Sequence, residues 1–185
     1  MKNLLVTGYR AHELNIFDEK HKGIGYIKKA IAARLEPLIE EGLEWIVTPG
    51  QYGVDLWACE AAFELKKRYP RLKCSIVAAY LNPDEKWKEE KQRLFRDIVR
   101  QLDYYGTVSN QPYSGVWQLT ARDDLLFRKT DGILLFYDEE RGEGSPRFYK
   151  RKALDKQAKD GYRYMWIGSD EVQSIADEET YSAYD

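Results

Sequence analysis

Short apolar runs alternate along the chain with longer stretches whose apolar positions recur every three or four residues. The runs NLLVTG (3–8), EWIVTPG (44–50), KCSIVAAYL (73–81), DYYGTVS (103–109), DGILLFYD (131–138) and YRYMWIG (162–168) read as strands. Between the first two, residues 23–42 carry Ile27, Ile31, Leu35, Leu38 and Ile39 at helical spacing. Gly42 serves as the stop, and Pro37 is expected to kink the helix. Val54, Trp57, Ala58, Ala61, Ala62 and Leu65 form the apolar stripe of a helix packed on a sheet. Further helices are predicted over 85–102, which is strongly charged and amphipathic, over 115–130 and over 145–161. A short acidic helix or tail ends the chain, with 177–185 expected to fray. Alternation of this kind predicts one α/β domain: a mostly parallel sheet with helices on both faces and right-handed crossovers.

In such a sheet, ligands bind beyond the carboxyl ends of the strands. Gly8 follows the first strand, Gly50 and Gly53 the second, and Gly142 and Gly144 the fifth, so all three loops belong to one edge. Glycine lets backbone N–H groups approach an anion, and a following helix points its positive dipole end at the same spot. Ser145 and Pro146 suit a helix entrance, as a hydroxyl cap and a residue that needs no N–H. The competing explanation is that turns need glycine for their own sake. Two glycine-pair loops before helices, together with Gly8, favour a phosphate-bearing ligand. Neither loop ends in the Gly-Lys-Ser/Thr of a Walker loop, and the first is not GxGxxG. A nucleotide kinase or ordinary dehydrogenase is therefore disfavoured.

Asp55 has two readings. It caps the positive end of its helix, or it accepts hydrogen bonds from a ribose or base. Arg10 either charges the same pocket or stays solvated. Arg122 and Asp123 either face the pocket from its other side or form a local ion pair. Tyr9, Gln51, Tyr52 and Trp117 offer stacking or polar contacts, packing being the alternative for each aromatic.

Composition narrows the classes. The chain has 185 residues and a net charge of −2 with pI ≈ 5.8, without the basic excess of a general nucleic-acid binder. Two cysteines and two histidines show no zinc spacing, so Cys59 and Cys74 read as small buried thiols and no metal is expected. The N-terminus reads as a strand rather than a signal peptide, and no apolar run reaches membrane-spanning length. The protein is therefore expected in the cytoplasm, without membrane insertion. Fourteen Tyr and five Trp exceed what the expected core places, which leaves a homodimer open.

The segments VTGYR, TPGQYGVDLWACEAA, ARDDLLFRKTDGILLFYD and EGSP together resemble the YpsA family of bacterial proteins, over essentially the whole chain. That family belongs to the SLOG superfamily of Rossmann-like folds, with the DNA-processing protein DprA (Smf) and the LOG cytokinin-activating hydrolases. Gly50-x-x-Gly53-Val54-Asp55 is similar to the glycine-glycine-acid loop of the DprA side. Arg122 and the following strand resemble its RN…SD segment, with Asp123 in place of Asn. The resemblance implies a single Rossmann-like domain over 1–176 with a pocket for a nucleotide or nucleotide-derived ligand of ADP-ribose or NAD type. It also implies a link to regulation of cell division through a protein partner.

LOG enzymes carry PGGxGTxxE, whose Glu helps break an N-glycosidic bond. Here the second motif glycine aligns with Gln51 and the Glu position falls on Trp57, leaving Asp55 and Glu60 as the acid candidates. The leading expectation is a nucleotide-ligand sensor. The alternatives are an N-glycosidase or phosphoribohydrolase acting on nucleotides, and a single-stranded nucleic-acid-binding module, against which the acidic balance weighs.

Overall fold

The computed structural model describes residues 1–141 and 144–184. Six strands, β1 (Asn3–Thr7), β2 (Trp45–Thr48), β3 (Lys73–Ala78), β4 (Tyr104–Thr107), β5 (Gly132–Phe136) and β6 (Arg163–Ile167), form one sheet in the order β4-β3-β2-β1-β5-β6. Every pairing is parallel; Leu5, for example, lies between Val47 of β2 and Ile133 of β5. The sheet is thus wholly parallel where mostly parallel was expected. Its central strands β1 and β5 are apolar on both faces because both are covered by helices.

From β1 the chain steps outward through α1 (Lys22–Glu40), α2 (Val54–Lys66) and α3 (Glu89–Gln101). It then returns through α4 (Val116–Lys129) to β5, and α5 (Pro146–Asp160) leads to β6. Right-handed crossovers in opposite directions place the first group of helices on one face and α4 with α5 on the other. A final helix, α6 (Ser169–Ser182), folds back against α1, with its Val172 and Ile175 on the core. Direction reverses between β1 and β5, a switch point of the kind at whose carboxyl edge this fold class commonly binds ligands.

Three local differences from the sequence reading have physical causes. α1 runs through Pro37 but ends at Glu40, two residues short of the expected stop, where the Gly42 N–H closes on the Ile39 carbonyl at 3.0 Å. α3 begins at Glu89 rather than 85. The Trp87 N–H turns back to the Asp84 carbonyl at 2.9 Å, and the Gln92 side chain holds that same carbonyl at 2.8 Å. The acidic end of the chain is helical as far as Ser182, through most of the stretch expected to fray, although its last side chains are exposed. Among the described residues no helix is long and apolar enough to cross a membrane.

Candidate functional site

Past the ends of β1 and β2, two loops are tied together. Arg10 and Gly53 form an isolated antiparallel bridge, Ala11 N donates to Tyr52 O (3.1 Å), and Val54 N donates to Tyr9 O (3.1 Å). Gly53 makes this approach possible. Its φ is +144°, and a Cβ there would fall 2.6 Å from both Ala11 N and Tyr9 O. Gly50, at φ +77°, turns the second loop tightly over Ile76, with no room for a Cβ (2.5 Å).

Three amides of this loop have partners within the protein. Gln51 N donates to Asp55 Oδ2 at 2.9 Å, Gly50 N reaches Thr48 Oγ1 at 3.5 Å, and Val54 N is used by Tyr9. Three amides of this loop are thus spent inside the protein rather than offered to an external anion. The glycines close a loop against its neighbour, and side chains supply the positive charge.

Asp55 is 2% exposed and does not line the cleft. Thr7 Oγ1 donates to its Oδ1 at 2.6 Å. Burial raises its pKa to about 6, against the opposing pull of Thr7, Gln51 N, Arg122 and Thr48. In place of reading a ribose or base, this carboxylate braces the loop from beneath. The second acid candidate, Glu60, is half-buried on the α1 side of α2, 3.7 Å from Lys28 Nζ. It does not line the cleft either. Trp57, at the position of the LOG glutamate, is fully buried, and its indole N–H has no partner.

The loop after β5 is also engaged internally. Glu13, from a 3-10 turn Ala11–Leu14, accepts from Ser145 N (2.9 Å), Ser145 Oγ (2.7 Å) and Arg10 N (2.9 Å). A resident carboxylate thus occupies the entrance of α5, where an external anion was expected. Burial alone would raise the Glu13 pKa, but these hydrogen bonds outweigh it and the net shift is downward. Gly144 packs beside Tyr9 and Glu13, and Gly8 packs against Phe136. Tyr9 is buried: its hydroxyl accepts from Asp138 N (2.9 Å) and its ring stacks on Tyr137. Gly142 lies outside the described residues.

Glu13→Ala is therefore expected to cost about 1–3 kcal/mol through the unpaired Ser145 and Arg10 groups. Urea denaturation, with hydrogen exchange at Ser145, measures it.

What does face solvent at this edge is a cleft of ≈ 480 Å³. Arg10, His12, Gly50, Gln51 and Tyr52 line it from the first two loops. Ala78, Ala79 and Tyr80 come from the end of β3, and Leu119 and Arg122 from α4. Lys86, Trp87 and Lys88 come from the segment entering α3, and Lys91 from its first turn. Of the expected residues, Arg10, Gly50, Gln51, Tyr52 and Arg122 meet here. Gly8, Tyr9, Gly53, Asp55, Asp123, Gly144 and Ser145 stand behind them as support. Trp117, 51% exposed on α4, is not part of the lining.

Arg122 is 6% exposed. Its Nε donates to Asp123 Oδ1 (3.1 Å) and its Nη2 to the Tyr149 hydroxyl (3.2 Å), which in turn donates to Asp123 Oδ1 (2.7 Å). So Arg122 and Asp123 do form an ion pair at the cleft wall, with Arg122 buried and Asp123 half-buried. Tyr52 donates its hydroxyl to Glu19, and burial with that carboxylate pushes its pKa strongly up.

The three lysines and Trp87 escape the sequence reading because 85–102 scans as one charged helix. Two lysines flanking a tryptophan just after a strand were the available signal. Cys59 and Cys74 are buried free thiols, and no cluster able to hold a metal is found among the described residues.

Comparison with known proteins gives a consistent match. The family model YpsA, described as the YspA SLOG family, matches residues 4–172. A UPF0398 protein of Brevibacillus brevis is 47% identical over 100% of this chain and 97% of its own length. One from Lysinibacillus sphaericus is 39% identical over 94% and 97%. The UPF0398 protein YpsA of Bacillus subtilis is 38% identical over 98% and 100%.

Proposed function

Starting from a chain that belongs to the YpsA SLOG family, we propose that this protein binds a phosphate-bearing, nucleotide-type ligand in the cleft at the carboxyl edge of β1, β2 and β3. One observation carries the reading. In a protein of net charge −2, five cationic side chains (Arg10, Lys86, Lys88, Lys91 and Arg122) line one cleft and no carboxylate lines it with them; among the described residues only Arg122 of the five is ion-paired, with Asp123. Like charges gathered in a concave, low-dielectric site are mutually repulsive until an anion enters, and they focus field on that anion. Tyr52, Tyr80 and Trp87 add aromatic surface suited to a base or sugar.

A binding and sensing role in the cytoplasm fits this lining better than hydrolysis. Both acid candidates, Asp55 and Glu60, lie outside the cleft and are engaged elsewhere, and cleavage of an N-glycosidic bond calls for a placed acid or base. On the sensor reading the bound state is relayed to a protein partner, with regulation of cell division as the process the family resemblance implies.

Thermal unfolding with nucleotides present tests the site. A ligand at 100 times its Kd adds about 2.7 kcal/mol, a rise of several degrees in Tm for a chain of this size. The shift is expected to shrink as salt is raised and to vanish in an Arg10→Ala/Lys91→Ala variant. An equal shift in that variant would place the ligand elsewhere.

A further inference from the structure

The segment that carries Lys86 and Lys88 into α3 is fixed in place although it is not helical. The chain turns at Asn82, in left-handed backbone (φ 52°), and the Gln92 side chain holds the carbonyls of Asp84 and Glu85 at 2.8 and 3.3 Å. The Trp87 ring is wedged edge-on against Phe95 and Tyr52, with centroids at 5.3 and 5.8 Å. Lys86 and Lys88 flank that anchored ring, so its packing sets where both leave the backbone. Lys91 extends over the Tyr52 ring, 4.5 Å from its centroid. Neighbouring cations on the same segment are neutralised: Arg93 pairs with Glu89, and Arg96 with Asp84. Among the described residues, no ion pair of 4.0 Å or less is made by Lys86, Lys88 or Lys91. Three lysines are thus held on one wall without counter-charge, and Arg10 and Arg122 line the same cleft.

We propose that this lysine wall selects nucleotides by phosphate count, so that the ligand class is a nucleoside triphosphate or a comparably charged nucleotide rather than a monophosphate or a dinucleotide. The inference rests on the nucleotide reading of the cleft. A terminal phosphate carries about −1.5 to −2 at pH 7, and each inner phosphate adds roughly one further negative charge. Arg122 is already paired with Asp123; a monophosphate leaves about half of the other four cations (Arg10, Lys86, Lys88 and Lys91) unmatched, whereas a triphosphate approaches balance. Residue type points the same way. Arginine forks clamp a single phosphate in fixed geometry, while lysines are point charges on flexible stems that can follow an extended phosphate chain. The cleft volume of ≈ 480 Å³ is within the range of small-ligand sites.

The test is calorimetric titration of the full chain with AMP, ADP, ATP and inorganic triphosphate, at low salt with EDTA. The same series is run on a Lys86→Ala/Lys88→Ala/Lys91→Ala variant whose fold is checked by circular dichroism. Wild-type affinity is expected to climb about tenfold per added phosphate, and the variant to flatten the series, losing far more affinity for ATP than for AMP. Added Mg²⁺, which neutralises phosphate charge, is expected to weaken ATP binding. AMP binding as tightly as ATP to the wild type would overturn the selection by phosphate count and leave the nucleotide site standing. A series that stays steep in the variant would overturn the role of the lysines. Binding of none of the nucleotides would remove the reading beneath it. Inorganic triphosphate binding as well as ATP would support the wall and overturn the contribution of the nucleoside.

Discussion

Gly53→Ala is expected to destabilise the protein by at least ~3 kcal/mol, a large share of the ~5–15 kcal/mol that holds a domain together. Two costs add. The backbone at φ +144° is one that side-chain-bearing residues rarely adopt, and the new methyl would lie 2.6 Å from Ala11 N and Tyr9 O and 2.8 Å from Arg10 Cα. The obstacles are main-chain atoms, which no rotamer change can clear. Relief requires separating the two loops, which breaks the Ala11 N to Tyr52 O and Val54 N to Tyr9 O hydrogen bonds. Because Arg10, Gln51 and Tyr52 leave from those loops, any ligand-induced rise in Tm should disappear with the lost stability. Urea denaturation gives the first quantity and a thermal-shift titration the second. A variant within ~1 kcal/mol of wild type would show that the loops are not locked together in this way.

Asp55→Ala is expected to expose a pH signature. Burial lifts the folded pKa of Asp55 to about 6, above the ordinary aspartate value of 3.8. The folded protein therefore holds this proton more tightly than the unfolded chain does. Its stabilising contribution is complete below pH ~4 and is lost as pH rises through about 6, a swing on the order of 3 kcal/mol. Removing the carboxylate leaves the Thr7 hydroxyl and Gln51 N–H without their acceptor, at roughly 1–3 kcal/mol each before relaxation. The variant should thus fall furthest below wild type near pH 4–5 and approach it near pH 8. Denaturation curves across that range check the sign. A difference that is constant with pH, or that grows toward pH 8, would contradict a raised pKa at this carboxylate.

The local pattern of the chain determined a good deal. Apolar runs separated by helical stripes gave six strands, the parallel sheet with helices on both faces, and the edge at which the chemistry gathers, because side-chain periodicity is dictated by backbone geometry within a few residues. Arg10, Gln51, Tyr52 and Arg122 could be placed at the carboxyl edge, where the cleft lies, on that basis alone, and the segments resembling the YpsA family pointed to the same edge. Tertiary structure alone decided what those loops do. Whether a glycine-loop amide faces a ligand or a neighbour depends on Asp55 meeting Thr7 across 48 positions, and on Glu13 meeting Ser145 across 132. Likewise, Lys86 and Lys88 stand at a cleft rather than along a helix because Trp87 is wedged between Tyr52 and Phe95. Such meetings are set by how distant loops pack on the finished sheet, and no period along the chain records them.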